Sequence, residues 1–223
     1  MKNHIIISLL ILSVGLSQKE YNIEHLLERD GVYIKKFSDE IVNGKVFKMF
    51  GGMKVPLGKM KDGKKEGKWM VWYENGQKKS EETFKDGKND GLITEWYENG
   101  QKKIETTYKD GEFDGLWTKW DENGQKKEEE TWKDGKPDGL WTNWYENGKK
   151  KREYNYKDGK SDGLSTNWFE NGQKEFEGTY KDGKEDGFYT FWYENGQKKE
   201  ERTYKDGELI SKKEWNEDGS VKE

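Results

Sequence analysis

The chain has 223 residues, 39% of them charged, and its 41 basic and 45 acidic side chains nearly cancel to a net charge of −4. Leu, Ile, Val and Phe number only 38, too few for a conventional core, so the apolar area must come largely from 11 Trp and 12 Tyr alongside 9 Phe. The interleaved charge leaves no basic field for nucleic acid, and the lack of cysteine excludes disulfides, thiol catalysis and thiolate metal sites.

Taken in chain order, residues 1–17 differ from everything that follows. Lys2 precedes an uncharged apolar run from Ile5 to Leu16, and Gly15 and Ser17 place small residues at the −3 and −1 positions of a cut before Gln18. That layout predicts a secretory signal and export to the envelope or beyond; the run is short for a membrane span. Residues 18–60 form an N-terminal cap with degenerate repeat features: Asp30-Gly31, a predicted strand from Val32 to Phe37, Asn43-Gly44 and a second strand from Val46 to Phe50. Pro56 suits an edge or bulge, and a short helix is expected near Ile23 to Glu28.

Residues 61–204 carry six units of 24 residues. Lys-Asp-Gly recurs from Lys61 to Lys205, Glu-Asn-Gly from Glu74 to Glu194, and Trp stands at 72, 96, 120, 144, 168 and 192, all in one register. A period without insertions means one geometry per unit. Each unit reads as two strands and two turns. Leu116 to Asp121 is rich in strand formers, Asn123-Gly124 follows, and Gln125 to Trp132 return to Asp134-Gly135.

Asn-Gly favours a two-residue type I′ turn. In the first unit this pairs Glu74 with Gln77, Tyr73 with Lys78, Trp72 with Lys79 and Gly67 with Phe84, the last laying an aromatic over a glycine. Strand alternation then puts the constant Trp with Leu92, Leu116, Leu140 and Leu164 and with Thr94 and its equivalents on one face. The opposite face takes Tyr73, Tyr97, Tyr145, Phe169 and Tyr193 with Phe84 and its equivalents. The predicted fold is all-β, an elongated single-layer antiparallel sheet of tandem hairpins, roughly 9–10 Å per unit and on the order of 60 Å for six. Residues 205–223 form a degenerate C-terminal capping repeat in which Trp215 arrives one residue early. Both caps are expected to cover strand edges.

Units such as Asp110-Gly-Glu-Phe-Asp-Gly-Leu-Trp117 followed by Trp120-Asp-Glu-Asn-Gly-Gln125 resemble the bacterial variant MORN repeat, found in proteins called YwqK-type antitoxins. The resemblance covers residues 30–219 and implies hairpin repeats with a binding role: protein scaffolding, membrane or phospholipid contact, or neutralisation of a toxin.

Catalysis finds little support, since the histidines are His4, in the signal, and His25, outside the array. Asp110/Asp114, Asp134/Asp138 and their equivalents could hold calcium weakly, yet their spacing matches neither the EF-hand loop nor the calcium-binding nonapeptide, and Asp-Gly is ordinary turn chemistry. No metal or other cofactor is expected. The reading is a monomeric, exported, non-enzymatic scaffold with a protein partner. A membrane- or cell-surface-associated structural protein contacting anionic lipid or glycan and an antitoxin-type protein are the alternatives. Candidate partner-binding residues are Trp72, Trp96, Trp120, Trp144, Trp168, Trp192, Tyr97, Tyr145, Phe169 and Tyr193. The departures Phe113, Asp121, Arg152, Phe176 and Phe191 are where partner choice could reside.

Overall fold

A computed structural model describes residues 18–222, so the expected export signal at residues 1–17 lies outside the described residues. The fold is all-β, one long open sheet of 17 strands with a separate two-stranded hairpin, Leu26–Arg29 with Val32–Lys35, in the N-terminal cap. From Gly44 onward the sheet is an antiparallel meander. Gly44–Phe50 pairs with Met53–Lys61, which pairs with Lys64–Trp72, and each later strand pairs with the next as far as Glu208–Glu214. Within a unit an outgoing strand such as Glu112–Trp120 is followed by a returning one such as Lys126–Lys133.

The type I′ turn expected at Asn-Gly does not form there. The two-residue type I′ turns are at Asp-Gly: Asp134 and Gly135 both have positive φ, 47° and 74°, and Lys133 pairs directly with Lys136. At Asn-Gly the loop has three residues. Tyr73 and Gln77 flank it, the Gly76 N–H donates to the Tyr73 carbonyl at 3.0 Å, and Gly76 alone carries a positive φ of 83°. A side-chain oxygen accepts the N–H that follows the loop: Asn75 Oδ1 that of Gln77 at 2.9 Å and, in the third unit, Asp121 Oδ1 that of Gln125 at 3.0 Å. Trp72 therefore pairs with Lys78, not Lys79; one extra residue restores register, and Gly67 does pair with Phe84. No aromatic covers that glycine, however, because nothing lies within 4 Å of where its Cβ would be. Aromatic cover occurs elsewhere, with Trp69 over Gly58 and Tyr189 over Gly178.

Successive units are tied at both ends of their strands. At the Asp-Gly end the turn glycine donates to a carbonyl of the preceding unit, as Gly135 does to Phe113 at 2.9 Å and Gly159 to Pro137 at 2.8 Å. At the other end the Asn99 Nδ2 donates to the Glu122 carbonyl at 2.7 Å, and Asn75, Asn147, Asn171 and Asn195 make the same bond to the next unit.

A closed apolar core forms only at the N-terminal end, where Tyr21, Leu26, Val42, Val46 and Met60 pack with Trp69 and Phe84 from the first unit. Glu20–Asn22 adds a parallel strand beside Lys45–Phe47. In place of the helix expected near Ile23 to Glu28, a single 3-10 turn spans Ile23–His25 and a strand begins at Leu26. The first cap strand stops at Lys35, short of the expected Phe37, which has φ 62° and is fully exposed. Pro56 sits opposite Phe47 at a register shift, the bulge its missing donor suggests. At the C-terminal end only the tip of the last strand is covered, by a bridge from Trp215 to Val221, while Leu209 and Ile210 stand exposed.

Candidate interaction surface

On the first face the constant Trp residues form a row in which each ring is roofed by a lysine from the preceding unit. Lys78 Nζ lies 5.5 Å from the Trp96 ring centre, and Lys102, Lys126, Lys150 and Lys174 stand 5.6–5.9 Å from Trp120, Trp144, Trp168 and Trp192. Each of these lysines also reaches a glutamate three residues on, Lys78 to Glu81 at 2.6 Å and likewise Lys102 to Glu105, Lys126 to Glu129, Lys150 to Glu153 and Lys174 to Glu177. Trp72, with no repeat unit before it, donates its indole N–H to the Pro56 carbonyl at 3.3 Å. Between the Trp and the Asp-Gly end lie buried Thr94, Thr118, Thr142 and Thr166, then Leu92, Leu116, Leu140 and Leu164, each about half exposed. Strand alternation on the sequence places these three rows together, and the structure agrees.

The Tyr row borders the second face at the Asn-Gly end. Its hydroxyls reach the next unit: Tyr73 donates to the Trp96 carbonyl at 2.7 Å, Tyr97 to Trp120 at 2.8 Å, Tyr145 to Trp168 at 2.7 Å and Tyr193 to Trp215 at 3.0 Å. Burial raises the Tyr97 and Tyr145 hydroxyls above the ordinary tyrosine range, keeping them protonated donors. Trp215, though one residue early in sequence, thus fills the place of a constant Trp. Phe169 interrupts the series because it has no hydroxyl. Phe169→Tyr is expected to add a bond to the Trp192 carbonyl and raise stability by about 1 kcal/mol, measured by urea denaturation. No gain would mean that the fifth unit is spaced differently from its neighbours.

The second face holds an aromatic patch in which the row equivalent to Phe84 is joined by aromatics of the outgoing strands. Tyr108, Phe113, Trp132, Trp141 and Tyr156 follow one another across strands with ring centres 4.5–5.8 Å apart. The series breaks at Ser165 and Gly178, then resumes with Tyr180, Tyr189 and Tyr204 and with the pair Phe176–Phe191. Of the predicted departures, Phe113, Phe176 and Phe191 belong to these patches; Asp121 and Arg152 lie nearer the Asn-Gly end. Trp132 is one of the equivalents of Phe84 that alternation places on this face, whereas Trp141 and Tyr189 are not among the sequence candidates. Counting every second residue back from Tyr145 and Tyr193 reaches both.

Glu130 lies within the patch, opposite Trp117 and Trp141, and accepts the Trp132 indole N–H at 3.1 Å. Burial pushes its carboxyl above the usual range. A raised folded-state pKa means tighter proton binding in the folded chain. The stability this gives is full below the unfolded pKa and lost as pH rises through the folded one. Glu130→Gln, which keeps an acceptor for Trp132, is therefore expected to raise the melting temperature at neutral pH and leave it unchanged in acid; thermal scans at both pH values test the sign.

The constant rows thus join neighbouring units, and what remains accessible is the Leu row on one face and the aromatic patches on the other. Among the described residues no three His, Cys, Asp or Glu side chains converge as metal ligands would. The Asp-Gly carboxylates serve turns instead, as when the Asp162 Oδ2 accepts the Asp182 N–H at 3.1 Å. His25 lies in the cap, in a groove with Tyr21, Glu40 and Phe47, away from the array.

A meander of near-identical hairpins, joined unit to unit by side chains and open on both faces, defines a repeat scaffold, a non-catalytic kind of fold. Residues 65–86, 89–110, 113–134, 137–158, 161–182 and 185–206 each match the family described as the MORN repeat variant. The matches span over half of the chain, which belongs to that family. Among curated proteins none matches it.

Proposed function

We propose that the chain is an exported scaffold that holds a protein partner on the face carrying the Trp and Leu rows. The observation that supports this reading is the line of exposed apolar side chains, Leu92, Leu116, Leu140, Leu164 and Phe188, the last 77% exposed, on a sheet whose other apolar residues are mostly covered. The Trp row from Trp72 to Trp192 shares that face beyond the Thr row, and Tyr97, Tyr145, Phe169 and Tyr193 stand at the Asn-Gly edge of the sheet. In this reading they contribute partner contact through the ring edges not already used between units. Export rests on the apolar run from Ile5 to Leu16.

Contact with an anionic surface is less favoured by the charges. Lysines 78, 102, 126, 150, 174 and 198 each face a glutamate at ion-pair distance, so their row has little charge to offer a lipid headgroup. The test is capture of partners from native envelope and culture fractions by the wild type and by Leu116→Lys/Leu140→Lys, which alters exposed positions only. A partner retained by the wild type and lost by the variant supports the reading. Equal capture by both, or none by either, overturns it.

A further inference from the structure

The third unit is the one place where a charged residue, Asp121, stands in the Tyr row. In the preceding unit Lys103 Nζ lies 5.8 Å from the Tyr97 ring and the Tyr97 hydroxyl bonds the Trp120 carbonyl. At Asp121 the lysine in the same place, Lys127, pairs with the carboxylate at 3.2 Å. The short side chain folds back on its own turn, its Oδ1 accepting the N–H groups of Asn123 and Gln125 at 2.9 and 3.0 Å. It does not reach across to Trp144, the next unit's counterpart of Trp120.

A notch of about 450 Å³ opens there, bounded by Lys127 and Trp144. Its walls are cationic. Lys119, Lys151 and Arg152 join Lys127, and Asn143 adds an amide. Among the described residues Lys119, Lys151 and Arg152 have no carboxylate at ion-pair distance, while Lys127 is taken by Asp121. One unit earlier the places of Lys119, Lys127, Lys151 and Arg152 hold Glu95, Lys103, Lys127 and Glu128; one unit later they hold Asn143, Lys151, Glu175 and Phe176. These four cations therefore come together once along the array. Glu128 in the wall and Asp121 beside it offset half of the four cations, leaving a surplus of two positive charges.

We propose that this notch binds a doubly charged oxyanion, a phosphate or sulfate group, either as the free ion or as a substituent of a small molecule. The Arg152 guanidinium offers a planar fork of N–H donors, and the lysines supply point charges.

The experiment is isothermal titration of the full chain with inorganic phosphate at low ionic strength and a pH where phosphate is a dianion. One saturable site per chain is expected. Arg152→Gln should weaken it about tenfold, the loss of one charge-assisted contact. The double variant Lys119→Gln/Arg152→Gln, which removes the surplus of two positive charges, should abolish binding while circular dichroism shows a folded sheet. Lys174→Gln, whose lysine is paired with Glu177 elsewhere, should bind as the wild type does. Parallel titration with glycerol 3-phosphate separates the sources. Binding as tight as or tighter than inorganic phosphate assigns the group to a carried ester, and weaker binding assigns it to the free ion. Absence of saturable binding of either, or undiminished binding by Lys119→Gln/Arg152→Gln, overturns the proposal.

Discussion

Trp69→Ala should cost about 3–5 kcal/mol, the range for emptying a buried aromatic site, and should split one unfolding transition into two. Trp69 is 5% exposed and sits where the cap meets the array. Its ring lies over Gly58, meets Phe84 edge-on at 6.4 Å, and its indole N–H donates to the Lys59 carbonyl at 3.0 Å. Backbone pairing across this junction is thin: Met53–Lys61 and Lys64–Trp72 pair only from Lys59 to Lys61 with Lys64 to Glu66. The ring therefore carries much of the coupling between the closed N-terminal core and the first unit. Without it, the cap should melt separately from the hairpins, which hold one another. Urea denaturation followed by Trp fluorescence and by circular dichroism checks both parts. A loss under about 1 kcal/mol with coincident transitions would mean that the cap is joined by other contacts.

Gly139→Ala is expected to cost about 2–3 kcal/mol, most of it from backbone strain. Gly139 has φ 123°, outside the range of a residue with a Cβ, and an added Cβ would come 2.9 Å from the Thr131 Cβ. Gly187 has nearly the same φ, 112°, but its nearest neighbour, the Thr179 Cβ, is at 3.7 Å. Gly187→Ala should therefore show the strain without the clash and cost less. Chemical denaturation of the two variants separates the contributions, and a Gly187→Ala loss equal to or larger than that of Gly139→Ala would refute the division.

These glycines also mark what the sequence made readable and what it hid. The 24-residue period, the strands, and the face shared by Trp120, Thr118 and Leu116 follow from spacing and alternation alone. The second glycine of each unit was legible as a constant residue, but not its reason, which is positive φ and not a covering ring. Turn identity was misread because Asn-Gly and Asp-Gly both allow a type I′ turn. In five of the six units the Asn side chain also bonds the next unit, a contact between residues distant in sequence such as Asn99 and Glu122. The Tyr hydroxyl bonds were hidden for the same reason. In the cap, residues 18–60 lack the period, so the parallel pairing of Glu20–Asn22 with Lys45–Phe47 had no local signal. The candidate aromatics are those that repeat; on the second face Trp132 is legible as an equivalent of Phe84 and Phe113 as a departure, whereas Trp141 is not, because the outgoing-strand positions of that face vary.

The bonds between successive hairpins at both ends of the strands give the sheet a mechanical character. Its strands run across the long axis, so tension applied between the two caps loads the ladders head-on and opens them one after another, as a zip opens. Each 24-residue unit released would lengthen the chain from about 10 Å of sheet to roughly 80 Å of extended backbone. Such a molecule yields in equal steps of roughly 70 Å at low force. Held at its two ends, such a sheet would give way by counted lengths and shorten again as its hairpins re-form.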